Sequence, residues 1–130
     1  MSLEGNKKIA REFLEASLVA DTARMGELMT DDATWWVMPS SLASGVQTKE
    51  DFLSFLPKFF ANFDGPFAMR FDEITAEGDR VSVTTKGSVK LKNGNTYESD
   101  YHWLFIMRDG KILRVKEYGN TEHAVKVFTS

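Results

Sequence analysis

There is no cysteine in this chain, and so no disulfide framework, no thiolate nucleophile and no cysteine-held metal. No apolar run approaches the ~20 residues that a membrane-spanning helix needs. The first residues lack the apolar stretch of a secretory leader. A cytoplasmic protein with no membrane partner is the expectation. Excess positive charge is missing too. A net charge of −3 leaves no basic footprint for phosphates, which argues against a nucleic-acid partner. Gly-rich phosphate loops, nucleophile elbows, internal repeats and flexible linkers are also absent.

What is present reads as one domain, residues 1–130, long enough to bury a core. A hydrophobic content of 42% is ordinary, but ten Phe and three Trp are generous and imply a greasy interior or a cavity. The stripe Ile9, Ala10, Phe13, Leu14, Ser17 predicts a helix over 6–20. Asp21 or Thr22 can cap a second helix carrying Met25, Leu28 and Met29. Residues 34–38 read as a short strand stopped by Pro39, and 40–47 as a loop. Thr48 caps a third helix with Phe52, Phe55, Leu56, Phe59, Phe60 and Phe63 on one stripe, ended by Gly65-Pro66. Residues 67–76 form a strand, and three more strands follow before a short helix over 122–127.

Asn93-Gly94 and Asp109-Gly110 are strong two-residue hairpin signals, because type I′ turns need φ > 0 at both central positions. Counting back from these turns pairs His102 with Glu117, Thr85 with His102 and Gly87 with Asp100. One face then holds Val81, Val83, Leu104, Ile106, Leu113 and Val115, and turns polar at Thr85, Gly87, Asp100, His102 and Glu117. The opposite face holds Tyr101, Trp103, Phe105 and Tyr118 among basic stems, a surface that is solvated or covered by another subunit. Helices segregated to one side of a sheet make the fold class α+β. A curved antiparallel sheet with three helices over its concave face encloses a cone, with a pocket at the polar end.

The order of elements, together with Tyr101-His102-Trp103-Leu104-Phe105, Asp109-Gly110-Lys111-Ile112 and Lys116-Glu117-Tyr118-Gly119-Asn120-Thr121, resembles the SnoaL-like branch of the nuclear-transport-factor-2-like superfamily. The resemblance covers essentially the whole domain. It implies the cone-shaped α+β barrel also called cystatin-like. It further implies an acid/base carboxylate at Glu117, with His102 and Asp100 on the preceding strand. Sheet-mediated dimers are common in that family, so it implies a homodimer through the face of Tyr101, Trp103, Phe105 and Tyr118. Two departures stand out: Glu where the family has Asp at 117, and Asn120 where many members have Asp. An Asp-Arg-Asp arrangement is not recognisable, although Asp100 and Arg70 or Arg80 could be its remnants.

The candidate catalytic residues are therefore Glu117, His102 and Asp100. Trp36, Phe55, Phe59, Thr85, Gly87, Leu104 and Val115 are the candidate substrate contacts. The expected ligand is a small apolar, oxygenated molecule, handled without cofactor or metal. Three readings stay open: an acid/base enzyme of isomerase, cyclase, dehydratase or hydrolase type; a non-catalytic hydrophobic-ligand module with the same cone; and a structural dimer whose cone is filled.

Overall fold

The structure is a computed structural model describing residues 2–39 and 45–129. The order is α1 (Leu3–Ser17), α2 (Thr22–Leu28), β1 (Met29–Val37), β2 (Gly45–Thr48), α3 (Lys49–Phe60), β3 (Ala68–Glu77), β4 (Arg80–Lys90), β5 (Thr96–Arg108), β6 (Lys111–Tyr118) and α4 (Thr121–Phe128). The helices start at side-chain caps. Thr48 accepts from the Asp51 N–H at 3.1 Å, Asp21 from Arg24 at 3.1 Å, and Asn120 from His123 at 3.1 Å. Each satisfies a backbone donor that the first helical turn leaves free. Pro57 is accommodated inside α3, which ends at Phe60, ahead of Gly65-Pro66.

The strands form one curved sheet of order β2-β1-β6-β5-β4-β3. It is mixed: β1 runs parallel to β6, and every other pairing is antiparallel. The stretch expected as a loop after Pro39 contributes β2 from Gly45 onward, while residues 40–44 lie outside those described. α1 packs over β3, β4 and β6, α3 over β1, and α4 over β5. Phe13 of α1 sits at the centre, with ring centroids 5.4 Å from Trp35 and 5.8 Å from Phe105. No described helix is long and apolar enough to cross a membrane.

The sheet register corrects the sequence reading in β5. Asp109 (φ 52°) and Gly110 (φ 79°) form the expected turn, and Arg108 pairs with Lys111. Beyond Met107–Ile112, however, Ile106 pairs with Arg114, so Leu113 is the extra residue of a β-bulge. On the other side of β5, Lys90 pairs with Thr96, and 91–95 form a longer loop in which Asn93 has no positive φ. Leu91 is buried there. Asn93 and Asn95 both donate through Nδ2 to the Val127 carbonyl, at 2.8 and 2.9 Å. The asparagine serves α4 instead of a type I′ turn.

Each departure shifts the pairing by one residue. Residues 81, 83, 85, 87, 115 and 117 still face inward, but β5 alone turns over. Trp103, not His102, stands opposite Glu117, and His102 pairs with Tyr118. Tyr101, Trp103 and Phe105 are buried in the protomer and are not available as a dimer face; Tyr118 remains outside. His102 and Asp100 are exposed, and Leu104 and Ile106 are half-buried on the outer surface.

Substitution separates the two registers. His102→Ala and Asp100→Ala are expected to leave stability within about 0.5 kcal/mol, as at ordinary surface sites. Phe105→Ala is expected to cost about 3–5 kcal/mol by opening a core cavity. Urea denaturation measures both, and the sequence-derived register requires the opposite ranking.

Candidate functional site

Alternation in β1 points Trp35 inward, 2% exposed, and leaves Trp36 on the outer face against Tyr118, with centroids 5.1 Å apart. The expected pocket wall is thus one residue away from the real one. Parallel pairing with β6 sets Trp35 beside Val115 and Val37 beside Glu117. From there the Trp35 indole Nε1 donates to Glu117 Oε1 at 3.0 Å. The same indole stacks on Phe52 of α3, with centroids 3.6 Å apart and planes 11° off parallel, and meets Trp103 edge-on at 6.1 Å. The donor is therefore locked in place by packing on both sides.

Glu117 lines a partly open cavity of about 100 Å³. Phe52, Phe55, Phe59 and Phe60 of α3 line one wall, Tyr97, Tyr101 and Trp103 of β5 another, with Phe67 and Met69 alongside. Ser17 at the end of α1, Leu18 just beyond it, Trp35 and Val37 of β1, Leu56 of α3, and Ala124 and Phe128 of α4 complete it. A smaller recess of about 20 Å³ reaches Glu117 from the side of Met38, Gly119 and Asn120. The Tyr97 and Tyr101 hydroxyls meet at 2.5 Å, with Ser99 between them in sequence on the same face of β5.

Electrostatics follow from this burial. Glu117 retains some accessible surface as a residue, but its carboxyl is buried against the Trp35 indole. Desolvation lifts its pKa from 4.5 to about 7, and the Trp35 hydrogen bond offsets part of the rise by favouring the charged form. Burial also raises the pKa of Tyr97 and holds that of Tyr101 well above its ordinary value, so both phenols are neutral donors. Among the described residues no three His, Asp or Glu side chains converge as metal ligands.

The candidates named from sequence divide accordingly. Glu117, Phe55 and Phe59 line the cavity. Thr85 is buried and accepts from Trp103 Nε1 at 3.0 Å, so it holds that indole from beneath. Val115 is core, and Gly87 lies under Phe67. His102, Asp100, Leu104 and Trp36 are on the outer face and do not reach Glu117. His102 and Asp100 border an open depression of about 480 Å³, and His102 Nε2 is 2.6 Å from Ser82 Oγ. The residues that sequence reasoning missed are Trp35, Tyr97 and Tyr101. The alternation Tyr97, Ser99, Tyr101, Trp103, Phe105, Met107 against Glu98, Asp100, His102 and Arg108 carries the signal that would have found two of them.

The SnoaL-like domain profile matches residues 10–115. The chain belongs to the SnoaL-like family. No curated protein matches this SnoaL-like chain. Among solved structures, an NTF2-like protein of unknown function from Burkholderia pseudomallei shares the fold with a TM-score of 0.85 at 17% identity, covering 100% of both chains. TerC, co-crystallised with polyporic acid, gives 0.83 at 22% identity over 97% of this chain and 99% of its own. A protein with a ketosteroid isomerase-like fold from Catenulispora acidiphila, in complex with trimethylamine, gives 0.78 at 14% identity over 92% and 90%. At these identities the likeness shows the nuclear-transport-factor-2-like cone and nothing finer.

The raised Glu117 pKa has a sign. The folded state favours the protonated carboxyl, so its contribution to stability is fully present below pH 4.5 and is lost as pH rises through about 7. Urea midpoints for the wild-type SnoaL-like domain should fall between pH 5 and 8 by the equivalent of up to about 3 kcal/mol. Glu117→Gln should flatten this component. Trp35→Phe removes the donor that favours the charge and should move the transition to higher pH.

Proposed function

We propose that this SnoaL-like protein is a cofactor-independent acid/base enzyme acting on a small apolar, oxygenated molecule, with Glu117 as the group that moves the proton. The observation that carries the reading is a carboxyl, oriented by an indole N–H, in the lining of a largely apolar cavity rich in aromatic residues. An apolar ligand entering that cavity displaces water and leaves the carboxylate as the base beside it. A carboxyl poised near neutrality exists in both protonation states at working pH, as transfer in both directions requires. Glu117 takes a proton from carbon α to a carbonyl, the C–H electron pair moves into an enolate, and the proton returns to another atom of the same molecule. No oxidant or co-reactant is needed. His102 and Asp100 have no part in this step, because they face outward.

A non-catalytic module would use the same cavity, with a neutral Glu117 as a hydrogen-bond anchor. Turnover separates the two. A screen of enolisable cyclic ketones, followed by proton–deuteron exchange at the α carbon in deuterated water, is expected to find exchange that Glu117→Gln lowers by at least about 10²-fold. His102→Ala should leave the rate unchanged. Exchange that survives Glu117→Gln removes the proposed role; binding without exchange for any ketone favours the module.

A further inference from the structure

The inner row of β4 runs Val81, Val83, Thr85, Gly87, Val89, and only Gly87 brings no side chain to it. The Phe67 ring takes the vacant place. A Cβ at Gly87 would stand 2.5 Å from one carbon of that ring and 3.0 Å from the next. The ring can lie this close to the sheet only because the side chain is missing. Phe67 comes from the segment between α3 and β3, and it lines the cavity. Phe60, Phe63 and Tyr97 pack against it, with ring centroids 6.4, 5.5 and 6.5 Å away. A ring held among three others has little freedom to yield.

The strand register separates this ring from the carboxyl. Glu117 pairs with Trp103, and Trp103 pairs with Val83. Gly87 is four residues farther along β4, about 13 Å at the normal rise of a strand. Glu117 and Phe67 therefore border the cavity at two different levels of the sheet. The space between the walls is about 100 Å³. An apolar cavity of about 150 Å³ holds one benzene ring. A single ring thus fits here with small movements of the walls, and a second fused ring needs the volume that Phe67 fills.

We infer that Phe67, seated on the bare backbone of Gly87, is a specificity-determining residue that limits the ligand to one ring, and that Gly87 sets how far Phe67 intrudes. The inference rests on the proposed reading of the cavity and names the size class of its substrate, a monocyclic oxygenated molecule. The two residues act in opposite directions. Truncating Phe67 lengthens the cavity. A Cβ at position 87 drives the ring away from the sheet, toward the space it borders. Neither change touches the Trp35–Glu117 hydrogen bond.

Toluene and naphthalene are the probes, one ring against two. Each is titrated into the intact protein while the indole N–H resonances of Trp35 and Trp103 are followed. Apolar area alone would favour naphthalene. The wild type is expected to reverse that order and bind toluene at least about tenfold more tightly. Phe67→Ala should restore the preference for naphthalene. Phe67→Leu, which keeps more of the packing, should move the ratio the same way. Gly87→Ala should weaken toluene binding by about tenfold. Naphthalene bound by the wild type as tightly as toluene overturns the one-ring limit and leaves the cavity reading standing. A ratio unchanged in a folded Phe67→Leu protein overturns the role of Phe67, and toluene binding unchanged in Gly87→Ala overturns that of Gly87. If neither probe binds the wild type or Phe67→Ala, the cavity reading fails and takes this inference with it.

Discussion

A buried carboxyl at the centre of this molecule depends on one indole N–H. Trp35 can supply it only because β1 runs parallel to β6, two residues out of step with Glu117. That pairing joins the first half of the chain to the last and brings the polar end of the cavity into being. The indole is itself fixed between Phe52 and Trp103, so packing, hydrogen bonding and proton affinity are linked through one side chain. Weakening the aromatic stack would alter the acidity of a group on another strand.

The aromatic residues do more than fill volume. Desolvation on burial among them is the main cause of the raised Glu117 pKa, and burial likewise keeps the two phenols protonated. A filled, uniformly apolar core would have no use for these groups, and an open polar cleft would leave the carboxylate ionised at neutral pH. The cavity lies between those limits, with its polar atoms gathered where β5 and β6 meet α4.

Much of this was legible in the sequence. The helices, the Thr48 cap, the α+β class and the inward faces of β4 and β6 follow from periodicity and from alternation. Glu117, Phe55 and Phe59 could be placed at the cavity on that basis. β5 could not, because its register was counted from its turns. A bulge at Leu113 and the 91–95 loop each add a residue that a turn motif does not encode. The two displacements lie on either side of β5, so they agree with each other while inverting it. The burial of Tyr101, Trp103 and Phe105 is the hydrophobic demand that turn chemistry had to yield to. His102 drew attention as a titratable group, but a strand with three aromatic residues on the other side will not bury a histidine in their place.

The asparagines around α4 have a kinetic consequence. Asn120 holds its first turn, and Asn93 and Asn95 together hold the carbonyl of Val127 near its last. A helix fastened at both ends is a wall and not a door. Opening the cavity on that side means breaking hydrogen bonds at two separate points at once. The α1–α2 junction is a tight turn, in which the Ala20 N–H donates to the Ser17 carbonyl at 3.1 Å and the Asp21 N–H to the Ala16 carbonyl at 3.0 Å. There Leu18 borders the cavity, Val19 is 74% exposed and Ala20 is held at φ 53°. A molecule passing Leu18 would likewise have to displace that hydrogen-bonded turn.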